Sequence, residues 1–405
     1  MDYQNTINWM FTQLPMYQNT GRTAYKKDLS NTHKLSKHLN NPEQKFISVH
    51  VTGTNGKGST SHMLASILQE AGYKVGLYTS PHLKDFRERI KINGKPISEK
   101  AVIQFIEEHK PFFKNQELSF FEMTVGLAFN YFAKEKVAIA IIEVGLGGRL
   151  DSTNIINPIL SVITNIGLDH TQILGDTLPK IAAEKAGIIK NNIPVVIGEY
   201  QEEVHPVFYK KALETNSSLF LAEKNISSNF TTDLKGTYQT KNVKTAVQSI
   251  YIIKERGFKI SNLNIENGLR NIVKNTGLLG RWQILHESPL TICDTAHNKE
   301  GLTYVLEQLL DETFKRLHII LGVVNDKELK NILPLFPKNA IYYFSKPNIP
   351  RGLDANILKE KSFSYDLKGT AYSSVNNALK NAQKQADFDD LIFIGGSTFV
   401  VAEVV

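Results

Sequence analysis

Eight consecutive residues, Gly53-Thr54-Asn55-Gly56-Lys57-Gly58-Ser59-Thr60, carry the clearest chemical signal in this 405-residue chain. Glycines let a backbone turn with its N–H groups pointing inward, and a helix starting behind the turn adds positive potential for a phosphate. Within this loop, Asn55, Gly56 and Gly58 shape the cradle and Lys57 supplies a mobile charge for the outer phosphates. The hydroxyl of Ser59 or Thr60 can reach a phosphate or a metal. The common phosphate loop places a glycine five residues before its Gly-Lys pair. Here Val51 occupies that position, and Gly58 separates Lys57 from Ser59. An ordinary glycine-rich turn is the competing reading, but a lysine set among the glycines between a strand and a helix points to a nucleotide phosphate.

Phosphoryl transfer also needs a hard cation held by oxygen ligands beside the phosphates. Ser80, Glu143 and the pair Asp169-His170 stand at the ends of three successive strand-like segments, where open α/β sheets bind ligands. Taken singly, Ser80 could cap a turn and His170 could be a surface histidine. Their common position makes Ser80, Glu143 and His170 the candidate metal set. A fourth signal is Lys185, which falls on the apolar stripe of a helix read over 178–190 together with Leu178, Ile181, Ala182, Ile188 and Ile189. Desolvation lowers the pKa of a buried lysine, and a neutral amine can add carbon dioxide to become a carbamate, an anion able to bind a metal or orient a phosphate. The alternative is a lysine whose stem packs while its ammonium reaches solvent.

These residues need strands and helices to hold them. FISVHVT (46–52) reads as a strand, followed by a helix with Leu64, Ile67, Leu68 and Ala71 on one face, closed by Gly72. KVGLYT (74–79), VAIAIIEV (137–144) and ILSVIT (159–164) read as further strands, and the unbroken apolar run at 137–144 suits a parallel strand covered on both faces. Helices are expected around 98–110 and 121–134, and in the more polar stretch near 203–215, 240–256 and 262–273. The βα rhythm restarts with LTICD (290–294), HIILGVV (318–324), AIYYF (340–344) and LIFIG (391–395). This alternation predicts a doubly wound α/β fold, with a domain boundary near 276–280.

Composition narrows the function classes. With 41% hydrophobic residues, 26 Gly and 14 Pro scattered without period, the chain is neither fibrous nor disordered. No apolar run reaches the roughly 18 residues of a membrane span. The N-terminal MDYQNTINWM lacks the basic and apolar regions of a secretory signal. The single cysteine, Cys293, rules out an internal disulfide framework and reads as a packed small hydrophobe. These features predict a cytoplasmic protein. The net charge of +7 is dispersed rather than striped, which favours small anionic ligands over nucleic acid or membrane surfaces.

The motifs GTNGKGST (53–60), TSPHL (79–83), FFEMT (120–124), EVGLGGRLDSTN (143–154), TNIGLDHTQILGDT (164–177) and AAEKAGIIK (182–190) resemble the folylpolyglutamate synthase/dihydrofolate synthase family of the Mur ligase superfamily. So do KNVKTA (241–246), GR (280–281), DTAHN (294–298), GVVNDK (322–327) and GGS (395–397). The resemblance runs from about residue 22 to the C-terminus. It implies an N-terminal Mur-ligase-type P-loop ATPase domain with a mostly parallel sheet (1–278) and a smaller C-terminal Rossmann-like α/β domain (279–405). The implied activity is an ATP-dependent ligase that joins L-glutamate to dihydropteroate, to folates already bearing glutamate, or to both, through an acyl phosphate.

Carried over by position, the resemblance assigns ATP contacts to Asn55, Gly56, Lys57, Gly58, Ser59, Thr60, Asn242, Arg281 and Asp294. Magnesium, at two sites, falls to Ser80, Glu143 and His170, and the carbamylated lysine to Lys185. Lys57, Lys185 and His297 become the catalytic candidates, with His297 placed near glutamate or phosphate. Phe121, Glu122, Thr124, Leu150, Asp151 and Ser152 match the region that contacts the pterin substrate. Two departures stand out: Trp282-Gln283 where relatives often have Phe-Glu, and Thr295 where Gly is common. The implied enzyme acts as a monomer. Competing readings are a peptidoglycan Mur ligase, a non-catalytic nucleotide-binding module and a nucleic-acid binder. The first usually carries a further uridine-nucleotide domain ahead of the loop, whereas only about 45 residues precede the first strand here.

Overall fold

The computed structural model describes residues 2–12, 28–325 and 329–405. The chain divides into two compact units: one runs to Asp233 and adds Gln239–Gly277, and the other combines Leu234–Tyr238 with Leu278–Val405. The excursion at Leu234–Tyr238 is absent from a linear division into 1–278 and 279–405. Its reason is local, since Thr237 N–H donates to Gln308 Oε1 (2.7 Å) and the Tyr238 hydroxyl to Asp294 (2.6 Å).

The first unit is built on strands β1 (Ile47–Thr52), β2 (Val75–Tyr78), β3 (Ile90–Ile92), β4 (Lys95–Pro96), β5 (Ile139–Glu143), β6 (Leu160–Ile163), β7 (Val195–Ile197) and β8 (Leu219–Leu221), in the order β4-β3-β2-β5-β1-β6-β7-β8. All neighbours are parallel except β2–β3 and β3–β4, which form an antiparallel edge. Every residue of β5 is buried, and all of β1 except its first, consistent with central strands covered on both faces. In register, Val51 of β1 pairs with Glu143 of β5 on one side and Val162 of β6 on the other. The C-terminal ends of β2, β5, β1 and β6 are therefore neighbours along one edge, and the candidate residues follow them.

Helix Lys57–Glu70 leaves β1 with Ser59 through Leu68 all buried, because helices Gln239–Glu255 and Asn262–Arg270 pack on it. Another apolar cluster gathers Met10, Leu35, Ile106, Phe113, Phe129 and Phe132 from helices Tyr3–Thr12, Ser30–His38, Glu99–Gln116 and Phe120–Lys134, with Ala140 and Ile142 of β5. The first two of these helices lie in the stretch before β1, where no element is assigned from sequence. The helix expected over 98–110 continues through Pro111 to Gln116, its added turn held by buried Phe113. The helix expected over 178–190 is shorter: it spans Leu178–Ala186, and Ile188 and Ile189 are buried beyond its end. The stretch 262–273 breaks at Asn271 into helices Asn262–Arg270 and Ile272–Thr276.

The second unit holds β9 (Gln283–Glu287), β10 (Leu290–Cys293), β11 (Leu317–Leu321), β12 (Ala340–Ser345), β13 (Gly369–Tyr372) and β14 (Leu391–Gly395), ordered β13-β12-β11-β14-β10-β9, with only β9 antiparallel to its neighbour. Helices Lys299–Asp311, Ala355–Phe363 and Val375–Gln385 accompany it. Cys293 is fully buried beside Ile320, Ile392 and Ile394, and burial pushes its thiol up to about 12, so it packs as a small hydrophobe. Asp326 and Lys327 of GVVNDK lie outside the described residues. Among the described residues, no helix is long and apolar enough to cross a membrane.

Candidate active site

The loop after β1 is shaped by two glycines in the left-handed half of conformational space, Gly53 (φ 151°) and Gly56 (φ 81°). A Cβ on Gly53 would fall on the Thr164 hydroxyl, and one on Gly56 on Asn242 Oδ1. The loop is thus packed as well as turned. It is also tied down from β6: Asn165 Oδ1 accepts from Asn55 N–H (2.9 Å) and the Thr164 hydroxyl donates to Asn55 O (2.5 Å). Lys57 folds back so that Nζ donates to Gly53 O and Thr54 O, both at 3.0 Å. With Gly58 it opens helix Lys57–Glu70, whose first N–H groups form an anion cradle. Ser59 and Thr60 are buried; Ser59 Oγ accepts from Gln239 Nε2 (3.2 Å), and the Thr60 hydroxyl has no partner among the described residues. Asn242 is buried and its amide donates to Gln239 Oε1 (2.8 Å).

Around this loop stand the strand-end residues. Glu143 is buried at the end of β5, and its Oε2 accepts from the backbone N–H of Ser80 (3.1 Å). His170 adopts φ 51° at the start of helical turn Thr171–Leu174, half-exposed, with Nε2 3.9 Å from Asp169 Oδ2. Lys185 is 4% exposed, and its Nζ donates to Gly53 O at 2.8 Å. Burial, and then the Lys57 charge, push this amine well below the ordinary lysine range; Asp169 and Asp151 oppose them by less. The snorkelling alternative is therefore ruled out, because the ammonium end points into the phosphate loop. Among the described residues, no three His, Cys, Asp or Glu side chains form a ready-made metal cage. Magnesium usually takes one or two carboxylates, substrate phosphates and waters. Buried Glu143 and the Ser80 hydroxyl suit such a cation better than a cage would.

The segments matched to the acid substrate are held by their own internal bonds. Glu122 is buried and closes a capping box with Ser119, accepting from Ser119 N–H (2.7 Å), which explains why helix Phe120–Lys134 starts there. Thr124 bonds back to Phe120 O (2.7 Å). Phe121 is half-buried, its ring tilted against Tyr78 at 6.4 Å. Asp151 is buried, accepting from Leu146 N–H (2.9 Å), Thr153 N–H (3.0 Å) and the Thr153 hydroxyl (2.5 Å). Burial raises its pKa, with those donors opposing. Leu150, half-buried, and Ser152, buried, flank it.

In the second unit, Arg281, Asp294 and His297 come together. Asp294 is 2% exposed and accepts from Tyr238 OH (2.6 Å), Trp282 N–H (2.7 Å) and Ala296 N–H (2.8 Å); burial raises its pKa, with Tyr238 and Arg281 opposing. Arg281 donates to Gly280 O and to the Thr295 hydroxyl, so the threonine at that departure is used as a partner. His297 Nδ1 pairs with Thr295 O (2.9 Å). Trp282 is buried at φ 45°, and Gln283 accepts from Gly280 N–H (2.8 Å), closing the turn that carries Arg281.

Sequence reasoning missed Gln239, Asn165, Thr164 and the buried pair His50 and Thr153. Thr164 and Asn165 open the quoted TNIGLDH motif and could have been found by their place one strand over from the loop. Gln239 has no such signal; it sits 180 residues from the serine it contacts.

Residues 51–267 match the Mur ligase middle domain and residues 280–398 the Mur ligase glutamate ligase domain. The chain is 32% identical to the dihydrofolate synthase/folylpolyglutamate synthase of Bacillus subtilis, covering 99% of this chain and 98% of that one. It is also 32% identical to the Haloferax volcanii probable bifunctional folylpolyglutamate synthase/dihydropteroate synthase, but spans about half (50%) of that longer protein. Escherichia coli FolC in complex with DHPP and ADP superposes with a TM-score of 0.87 at 28% identity, covering 100% of this chain and 97% of that one. A Mycobacterium tuberculosis folylpolyglutamate synthase complexed with ADP and AMPPCP gives 0.86 at 25% identity, over 99% and 98%. Two parallel-sheet units, the loop after β1 and these matches converge: the chain belongs to the folylpolyglutamate synthase/dihydrofolate synthase family of Mur ligases.

Proposed function

We propose that the chain is an ATP-dependent ligase that joins L-glutamate to the carboxylate of dihydropteroate, of folates already bearing glutamate, or of both. The observation that carries this reading is the buried amine of Lys185, 2.8 Å from the first carbonyl of the phosphate loop. The substrate carboxylate attacks the γ-phosphorus of ATP, breaking its bond to the bridging oxygen and releasing ADP. The glutamate amine then attacks the acyl carbon, loses a proton and expels inorganic phosphate. Lys57 leaves its loop carbonyls to meet the outer phosphates, and the N–H groups of Gly56 to Ser59 cradle them. Glu143, Ser80 and His170 would hold magnesium, which would supply charge neutralisation beside those phosphates. Asn242, Arg281 and Asp294 are assigned further nucleotide contacts, and His297 is assigned to glutamate or phosphate. Lys185 takes up carbon dioxide, losing a proton to become a carbamate. That modification fits a lysine kept neutral by burial, and the anion it creates would suit a metal or a phosphate-orienting role. The segments bearing Phe121, Glu122, Thr124, Leu150, Asp151 and Ser152 receive the pterin acid. The enzyme works as a cytoplasmic monomer, where ATP is available.

The test offers dihydropteroate and tetrahydrofolate separately to the purified full chain with ATP, magnesium and L-glutamate, following ADP release and product mass. Glutamate-dependent ADP release with a product one glutamate heavier is expected for at least one acid. Activity on neither overturns the assignment.

A further inference from the structure

On β1, His50 and Thr52 alternate onto one face of the sheet, directly before Gly53. Both are fully buried, and both bond to the loop that runs from Val144 to Asn154. The Thr52 hydroxyl donates to Gly147 O at 2.7 Å, and His50 Nε2 lies 2.9 Å from Thr153 Oγ1. The Thr153 hydroxyl spends its single proton on Asp151 Oδ1 (2.5 Å), so the histidine must be the donor to Thr153. The result is a directed relay, His50 Nε2–H to Thr153 O–H to Asp151. Asp151 in turn organises the loop, accepting from the N–H groups of Leu146 and Thr153. The remaining ring nitrogen, His50 Nδ1, is buried without a partner among the described residues. A protonated ring would bury an unpaired N–H and a charge, and burial accordingly holds His50 neutral, near 3, with Lys190 adding to the shift. Packing alone does not call for histidine here, since an apolar side chain would avoid the orphaned nitrogen. What histidine adds is a fixed donor at Nε2.

We infer that His50 and Thr153 are positioning residues that set the acid-substrate loop, through Asp151, at a fixed offset from the phosphate loop carried by the same strand. The inference rests on the ligase reading, in which Leu150, Asp151 and Ser152 lie beside the acid whose carboxylate must reach the phosphate. A shift of about 1 Å between two such segments is enough to cost on the order of a hundredfold in rate. His50 and Thr153 touch neither substrate; they act by where they hold the loop.

Four single substitutions in the full chain test this: Thr153→Val, Thr153→Ser, His50→Leu and His50→Gln. Thr153→Val keeps shape and removes both hydrogen bonds, whereas Thr153→Ser keeps the hydroxyl; Gln places an amide N–H near the position of Nε2. The readouts are KM for the pterin acid accepted by the wild type, kcat, and the Kd for ADP by calorimetry, which also reports that each variant is folded. Thr153→Val and His50→Leu are expected to raise the acid KM at least tenfold, with the ADP Kd unchanged within twofold. Thr153→Ser and His50→Gln should recover most of that loss. A Thr153→Val protein that binds ADP normally with a wild-type acid KM overturns the inference. So does a parallel rise of acid KM and ADP Kd in all four variants, which marks general loosening. If the wild type ligates glutamate to no pterin acid, it is the functional reading that has failed.

Discussion

Replacing Gly56 by Ala perturbs the phosphate loop in a way whose size follows from the structure. At φ 81° an alanine pays for left-handed backbone, roughly 1–2 kcal/mol. Its Cβ would also occupy the place of Asn242 Oδ1, so Asn242 must swing away and lose its 2.8 Å bond to Gln239. A net hydrogen bond is worth about 1 kcal/mol, giving a total of roughly 2–3 kcal/mol. For a unit of this size that is a fall in Tm of about 4–10 °C. Asn242→Ala alone should cost about 1 kcal/mol, and it removes the atom that the new methyl meets. The double variant should therefore be no less stable than Gly56→Ala by more than about 0.5 kcal/mol, a coupling of roughly 0.5–1 kcal/mol where independent sites would add. Urea unfolding of the four proteins closes the cycle. Strictly additive effects would show that Gly56 is required for its backbone alone and that packing against Asn242 is irrelevant.

Other consequences are equally direct. Lys185→Ala and Lys185→Arg should each lower ligation at least a hundredfold, and stripping carbon dioxide should lower wild-type activity until bicarbonate is restored; a fully active Lys185→Ala protein refutes the role. Because burial depresses the Lys185 pKa, the carbon-dioxide-dependent activity should hold at neutral pH and fade as falling pH protonates the amine, which a 13C NMR titration with labelled bicarbonate can follow. Glu143→Ala and His170→Ala should each raise the magnesium concentration needed for half-maximal rate about tenfold, and unchanged magnesium dependence in both removes them from the site. In the second unit, burial alone would raise the Asp390 pKa, but Arg316, the Asp387 N–H and His318 overcome it and hold it at about 2 against an ordinary 3.8. Its ionised form thus contributes stability above pH about 4 that is lost as pH falls toward 2; with Arg316 partly in solvent, this is roughly 1–2 kcal/mol. Asp390→Asn should flatten that part of the acid unfolding curve.

What was legible in sequence follows from length scale. The central strands are long, apolar runs, and the loop, Glu143 and Lys185 sit at their ends or on an apolar helical stripe, so short-range periodicity finds them. The edge hairpin β3–β4 carried its signal too: Asn93 and Gly94, at φ 46° and 73°, form the Asn-Gly turn typical of two-residue hairpins. Its flanking strands, however, are only three and two residues long, too short for an alternation to show. β8 is as brief and only half-buried. The apolar pattern runs four residues past the end of helix Leu178–Ala186 because Ile188 and Ile189 stay buried after the helical turn stops, and burial alone does not distinguish a helix from the chain leaving it. Contacts such as Gln239 with Ser59, or Lys185 with Gly53, join residues 180 and 132 positions apart. No local spacing encodes those; they follow from the order of strands and from which helices pack on which.

The fold also brings two lysines to one carbonyl. Lys57 and Lys185 both donate to the carbonyl of Gly53, at 3.0 and 2.8 Å, so their amines share one acceptor. Two cations roughly 5 Å apart would repel by about 3 kcal/mol even at an effective dielectric near 20, and one carbonyl does not offset that. Lys57 is half-buried and has Thr54 O as a second acceptor; Lys185 is sealed in the core with Gly53 O. Burial and the Lys57 charge thus both push Lys185 toward the neutral amine that carbamylation would require. Departure of Lys57 from Gly53 toward an incoming phosphate would relieve the repulsion. Lys57→Met should then raise the Lys185 pKa and shift the acid limb of the carbon-dioxide titration to higher pH, whereas an unmoved limb would show that burial alone keeps Lys185 neutral.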